Sequence, residues 1–113
     1  MNSRLASLTA LLVLVPGLAL AATCPNVTKN NTTAPKDWFI EKNKTGDKEK
    51  RLTFCKAHYG FDGYMRCIYG TSCGNADGQY ILISSTTLRH PPDKANWANN
   101  KCTASVDKCV FSH

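Results

Sequence analysis

Six cysteines, all of them after residue 23, constrain this chain more than any other feature. The stretch before them, MNSRLASLTALLVLVPGLALA, reads as a secretory signal peptide. Arg4 supplies a positive start, Leu5 to Val15 an apolar run, Pro16-Gly17 a break, and Ala19-Leu20-Ala21 the small residues that a signal peptidase needs. The run is too short to span a bilayer, which argues against a retained anchor. Cleavage is expected after Ala21, leaving residues 22–113 as a single domain with no transmembrane segment. Thr23 rather than a small residue precedes Cys24, and lipidating Cys24 would leave an odd number of thiols, so Cys24 reads as a disulfide partner.

An even cysteine count in a short exported chain implies disulfides, here Cys24, Cys55, Cys67, Cys73, Cys102 and Cys109 in three pairs. A core of this size is marginal without such staples. No Cys-x-x-Cys motif occurs, and His58, His90 and His113 have no ligand-like spacing, so neither a metal site nor a redox motif is expected. No cofactor is implied.

Cys102 and Cys109 are near enough in sequence to close a local loop. For the other four, strand alternation is the guide. Leu52 to Tyr59 and Tyr64 to Tyr69 flank the glycine-bounded turn Gly60-Phe61-Asp62-Gly63 and read as a hairpin. A regular four-residue turn puts Cys67 opposite Lys56 and sets Cys55 and Cys67 on different pleats, so a direct bond between them would need a bulge. Cys24 and Cys73 are then their partners, in an order that alternation leaves open.

Elsewhere, Asp37 to Glu41 reads as a first strand, and Tyr80 to Thr86 as a central strand apolar on both sides, with Tyr80 and Leu82 facing one way and Ile81 and Ile83 the other. Leu52, Phe54, Lys56 and His58 should share one face of their strand, and Thr53, Cys55, Ala57 and Tyr59 the other. Pro91-Pro92 excludes regular structure, Asp93 to Asn99 can form one helical turn capped by Asp93 and packed by Trp97, and a last short strand falls at Val106 or Val110-Phe111. The predicted fold is all-β or mostly β: an antiparallel meander of three strands plus one or two short ones, stapled by three disulfides.

Without the signal peptide the chain keeps 13 basic and 8 acidic residues, a net +5 with histidines neutral. That balance suits anionic partners in general, such as polysaccharide, lipid headgroups or nucleic acid, and first of all a well-solvated protein. The densest basic stretch is the loop KNKTGDKEKR, with Lys44, Lys48, Lys50 and Arg51 as candidate contacts. Tyr59, Phe61 and Tyr64 cluster at the hairpin turn, where an exposed aromatic can stack on a sugar or meet a host protein. No motif points to sequence-specific nucleic-acid binding. Asn-x-Thr sequons stand at Asn26, Asn30, Asn31 and Asn43.

The catalytic alternative is a small toxin or ribonuclease-like enzyme working through His58 and His90. Glu41, Lys56 and Arg66 would supply the acid–base and cationic partners that phosphodiester cleavage requires. No Gly-x-Ser-x-Gly or His-Glu-x-x-His motif offers another chemistry.

The opening Thr23-Cys24-Pro25-Asn26-Val27, the run Phe54-x-x-Ala57-x-Tyr59…Arg66-Cys67-Ile68-Tyr69 and the ending Asn96-Trp97…Cys102-x6-Cys109-x-Phe111 resemble a family of small exported proteins of unknown function in Gram-negative bacteria, several of them host-associated. In size and composition the chain is also similar to small cysteine-rich secreted effectors of plant-infecting fungi. Resemblance to the bacterial family implies a β-rich, disulfide-bonded, non-enzymatic protein of the periplasm or medium. The function expected of the chain is that of an exported binding protein with an effector or virulence role at a host–microbe interface. Cys55 and Cys73 are additions to that pattern.

Overall fold

The structure, a computed structural model, describes residues 21–112; the expected signal segment except its last residue, Ala21, lies outside the described residues, as does His113. Strands β1 (Ala21–Ala22), β2 (Trp38–Asn43), β3 (Thr53–Tyr59), β4 (Tyr64–Gly70), β5 (Gln79–Thr87), β6 (Lys101–Cys102) and β7 (Phe111–Ser112) carry the fold. Five of them form an antiparallel sheet in the order β2-β5-β4-β3-β6, and β1 pairs with β7 in a separate ribbon. The mostly β, disulfide-stapled architecture expected from the sequence is therefore present, and β3-β4-β5 form its meander.

The β3–β4 turn is tighter than four residues. The Gly63 N–H donates to the Gly60 carbonyl at 3.0 Å and the Gly60 N–H to the Tyr64 carbonyl at 2.9 Å. Phe61-Asp62-Gly63 is thus a three-residue loop, closed by Gly63 at φ 86°, a conformation that favours glycine. The loss of one loop residue shifts the register by one. Cys67 pairs with Ala57 instead of Lys56, and His58 pairs with Arg66.

A bulge at Cys55 then corrects the expected faces of β3. Phe54 pairs with Tyr69 and Lys56 with Ile68, leaving Cys55 as the extra residue. The bulge resets the alternation, so Phe54 and Ala57, three residues apart, both join the core. Lys56 and His58 stay on the opposite face. The bulged Cys55 bonds Cys73 in the β4–β5 connection, Cys24 bonds Cys67, and Cys102 bonds Cys109. The Cα separations of 5.8, 5.3 and 5.6 Å are ordinary for the bond.

Met65, Cys67, Tyr69, Tyr80 and Leu82 line the inner face, as β4 and β5 alternation predicts, and all are buried. Among the described residues no second sheet of comparable size covers them. The covering layer is the irregular arm around Cys24 to Pro35, together with Leu88 and the C-terminal segment through Cys109 and Phe111. Backbone polar groups in such a layer need partners, and core side chains provide several. The Tyr69 hydroxyl donates to the Pro25 carbonyl, the Tyr80 hydroxyl to the Asn31 carbonyl at 2.6 Å, and Trp97 Nε1 to the Val110 carbonyl at 2.7 Å. Trp38 packs edge-on to Phe111 with ring centroids 6.5 Å apart.

Ser84, only 2 % exposed, fills an irregularity of β5 opposite Met65. Its Oγ accepts from the Met65 N–H at 3.0 Å and donates to the Thr86 carbonyl at 2.8 Å. The expected helical turn at residues 93–99 is absent. Asn96 adopts φ 77°, and Asn99 and Asn100, at φ 52° and 63°, make a tight reverse turn between Ala98 and Lys101. Asparagine tolerates this left-handed backbone better than other non-glycine residues. The last strand is Phe111–Ser112, one residue beyond the expected Val110-Phe111.

Replacing Cys24 and Cys67 together by serine opens the longest loop, whose ends are 43 positions apart in sequence. The chain-entropy relation gives a loss of about 4 kcal/mol, against about 2 kcal/mol for the short Cys102–Cys109 loop. Urea unfolding of the two double variants checks the order.

Burial raises the phenol pKa of Tyr69, with Tyr80 nearby adding to it, and burial also raises that of Tyr80. Folded values above the unfolded value mean that this stability is full below about pH 10 and falls as pH rises further. Thermal melts across pH 8 to 11, with phenolate absorbance followed in parallel, should show unfolding and ionisation together.

Candidate functional site

The register places one continuous row of side chains across the outer face of the sheet. Phe39 on β2 pairs with Ile83 on β5, Ile83 with Arg66 on β4, Arg66 with His58 on β3, and His58 with Lys101 on β6. The next row runs Lys42, Ile81, Ile68 and Lys56. Ile68 and Ile81 are buried here without belonging to the main core. Their row ends in two lysines, whose aliphatic stems suit such a position. β5 is thus apolar on both sides, as expected, but its outer side carries this mixed face in place of a second packed layer.

Arg66 organises the first row. Its Nε and Nη2 donate to the two carboxylate oxygens of Glu41 at 2.8 and 2.9 Å, and Nη1 and Nη2 donate to Asp62 at 3.0 and 2.9 Å. Glu41 reaches this position because it is the extra residue of a β2 bulge between Ile40 and Lys42. Asp62 also accepts from the Tyr64 N–H at 3.2 Å. The Arg66 hydrogen bonds, then the Tyr64 N–H, pull the Asp62 carboxyl down to about 2, and Asp62 and Glu41 together hold the guanidinium above its ordinary value. A Cβ at Gly60 would lie 2.5 Å from Arg66 Nη1 and 2.7 Å from Asp62 Oδ1. Glycine at position 60 is what lets the clamp close against the turn.

The clamp braces a turn whose tip is Phe61, a side chain fully exposed at 112 %. Tyr59 and Tyr64, the other expected turn aromatics, are half-buried. A shallow hollow of about 450 Å³ beside the tip is bounded by His58, Gly60, Phe61, Asp62 and Arg66. The His58 pKa is lowered, first by burial and then by the charges of Lys101, Lys56 and Arg66, with Asp62 opposing.

His90, the second histidine of the catalytic alternative, is exposed in irregular chain past β5. The Leu88 N–H donates to the Gly63 carbonyl at 2.9 Å, so Arg89 and His90 follow the turn closely. Among the described residues no hydrogen bond joins His90 to His58. Arg66, the cation that the catalytic reading requires, already spends four donors on carboxylates. The set His58, His90, Glu41, Lys56 and Arg66 thus divides into Glu41 and Arg66 in a closed ionic clamp, two unlinked histidines, and Lys56 in the next row.

The basic loop stands elsewhere. Lys44, Lys48, Lys50 and Arg51 are all exposed, but they precede β3, while the aromatic turn follows it. Seven strand residues separate the two, roughly 20 Å. The sequence suggests one basic and aromatic surface; the fold makes it two, at opposite ends of the sheet. Asn30 shapes the loop end. Its Nδ2 donates to Thr45 Oγ1 at 2.6 Å and to the Lys48 carbonyl at 3.0 Å, and its Oδ1 accepts from the Lys50 N–H at 2.8 Å. Of the four sequons, this one has its amide nitrogen committed to the fold. A hollow of about 440 Å³, lined by residues that include Asn30, Asn43, Asp47 and Lys48, adjoins it.

Glu41 and Arg66 stand out in the sequence as candidate chemistry, whereas Asp62 and Arg89 do not. The available signal was an Asp inside a glycine-bounded turn followed four residues later by Arg. Comparison with protein-family models, curated proteins and solved structures finds no match for this chain.

His58 should titrate below 6.5 by NMR, with Lys101→Gln moving it up and Asp62→Asn moving it further down. Because the folded imidazole binds its proton less tightly, its contribution to stability is complete above pH 6.5 and is lost as pH falls through the lowered folded value. Asp62 contributes in the same direction at lower pH. Its part is present above the ordinary 3.8 and is lost as pH falls through about 2. An unshifted His58 that ignores Lys101→Gln would contradict this geometry.

Proposed function

We propose that this is an exported, non-catalytic binding protein that acts outside the cytoplasm, in the periplasm or the medium, at a host–microbe interface. The observation that carries the reading is Phe61, fully exposed on a turn held rigid by the Arg66 clamp. A large apolar side chain kept in water on a braced turn gives nothing to the core. A pre-organised anchor of this kind loses little entropy on binding, which is the use such a geometry has. Three disulfides fit an oxidising compartment. The resemblance to small exported proteins of host-associated bacteria supports the same address. The contact surface is the turn end, with Lys44, Lys48, Lys50 and Arg51 forming a separate cationic face at the loop end.

The ribonuclease-like reading has less support, since Arg66 is spent on carboxylates and the two histidines share no hydrogen bond. RNA cleavage abolished by His58→Ala would restore it.

The test is a binding screen of the full chain against anionic polysaccharides, lipids and acidic proteins, run with Phe61→Ala and with the double variant Lys48→Glu, Lys50→Glu. The expected result is a salt-sensitive interaction that Phe61→Ala weakens about tenfold. Loss in the lysine variant alone would move the contact surface to the loop end. Absence of any salt-sensitive partner would remove the reading. Fractionation into periplasm, membrane and medium checks the address.

A further inference from the structure

We propose that the turn end of the sheet docks on an anionic lipid surface, with Phe61 entering the interface and a cationic rim meeting the headgroups. The inference rests on the binding-protein reading and names its partner. It starts from shape. Phe61 stands on a protruding turn, and the hollow beside it is shallow and open. A sugar or small ligand needs a concave seat, whereas an exposed ring on a convex tip needs a partner that yields around it. The apolar boundary of a bilayer does so, and it takes up aromatic rings at headgroup depth.

Charge selects the kind of bilayer. Around the tip stand Arg66 on β4, Lys101 on β6, Lys56 on β3 and Arg89 just past β5, against Asp62 in the turn and Glu41 on β2. Four cations against two carboxylates leave +2 with His58 and His90 neutral. Both carboxylates, moreover, are already paired with Arg66. Phe39, 61 % exposed at the far end of the His58 row, extends the apolar contact along the same face. Basic side chains near an anionic membrane are attracted only within about a Debye length. The loop-end lysines, roughly 20 Å away along β3, lie beyond that range.

The experiment is co-sedimentation of the full chain with vesicles of pure phosphatidylcholine and with vesicles containing about one-third phosphatidylglycerol. Binding is expected only to the second, and it should fall steeply with added salt. Phe61→Ala should weaken it about tenfold, and Arg89→Gln and Lys101→Gln about fivefold each. Lys48→Glu with Lys50→Glu should change it by less than about twofold. Matched thermal melts of each variant exclude misfolding. As a second readout, Phe61→Trp should be quenched by brominated phosphatidylglycerol beyond the quenching of the two native tryptophans.

Equal binding to both vesicles, an unaffected Phe61→Ala variant or loss in the lysine variant would each overturn the proposal. If no vesicle is bound while an acidic polymer or protein is held through Phe61, the lipid partner falls and the binding-protein reading stands. If nothing anionic is bound, both fall.

Discussion

The Cys24–Cys67 bond is the constraint on which the fold depends. A five-stranded sheet with one strongly apolar face must cover that face, and among its described residues this chain has only the short β1–β7 ribbon and no long helix to do so. The cover is an irregular arm and an irregular C-terminal segment, neither of which would hold its place through backbone pairing alone. Joining Cys24 to the middle of β4 fixes the arm over the core at the point where Tyr69 and Tyr80 can donate to its carbonyls. Cys102–Cys109 does the same for the other end of the chain, so that Phe111 can pack against Trp38.

The remaining disulfide does something different. Cys55–Cys73 joins a bulged, half-exposed strand residue to an exposed loop, and it ties no arm over the core. Cys55 is itself the bulge residue of β3. By adding one residue to β3, the bulge sends Phe54 inward against Tyr69 and also keeps Lys56 and His58 on the outer face. Without it, strict alternation would separate Phe54 from Ala57 and leave one of them in water. A second bulge, at Glu41, delivers the carboxylate that completes the Arg66 clamp. The outer face is therefore shaped by two interruptions of regular pairing.

Those interruptions mark the limit of what was legible in the sequence. Strand positions, the hairpin, the faces of β4 and β5 and the Cys102–Cys109 pairing follow from period-two alternation, turn chemistry and loop length, which are local signals. The register of β3 against β4 depends on whether the Gly60 to Gly63 segment closes as three residues or four, and both closures suit the same glycines. Bulges leave no compositional mark: Cys55 and Glu41 look like ordinary members of their strands. The Asn-rich segment before Cys102 reads as a helical turn because Asp93 and Trp97 fit one, yet three asparagines in left-handed backbone make reverse turns there. The separation of basic loop from aromatic turn was legible in principle, since a seven-residue strand lies between them, but composition invites the two to be read as one surface.

That separation also bears on how a charged protein of this size can act. A net positive charge spread over both ends would orient the molecule only weakly in the field of an anionic partner. Here only one end also carries a large apolar anchor, and that end is the one whose backbone is braced. Asp62 and Glu41, which could repel an anionic partner, are held on Arg66, while Lys101 and Arg89 remain outside the clamp. The loop end has more lysines but no exposed aromatic, and Asn30 rather than an ion-pair network organises it. Either end can attract an anionic partner within about a Debye length; short-range adhesion, which needs apolar area at a fixed position, can come only from the turn. Phe61 is where charge, rigidity and exposed apolar surface meet, and the geometry of contact follows from that coincidence rather than from the total charge.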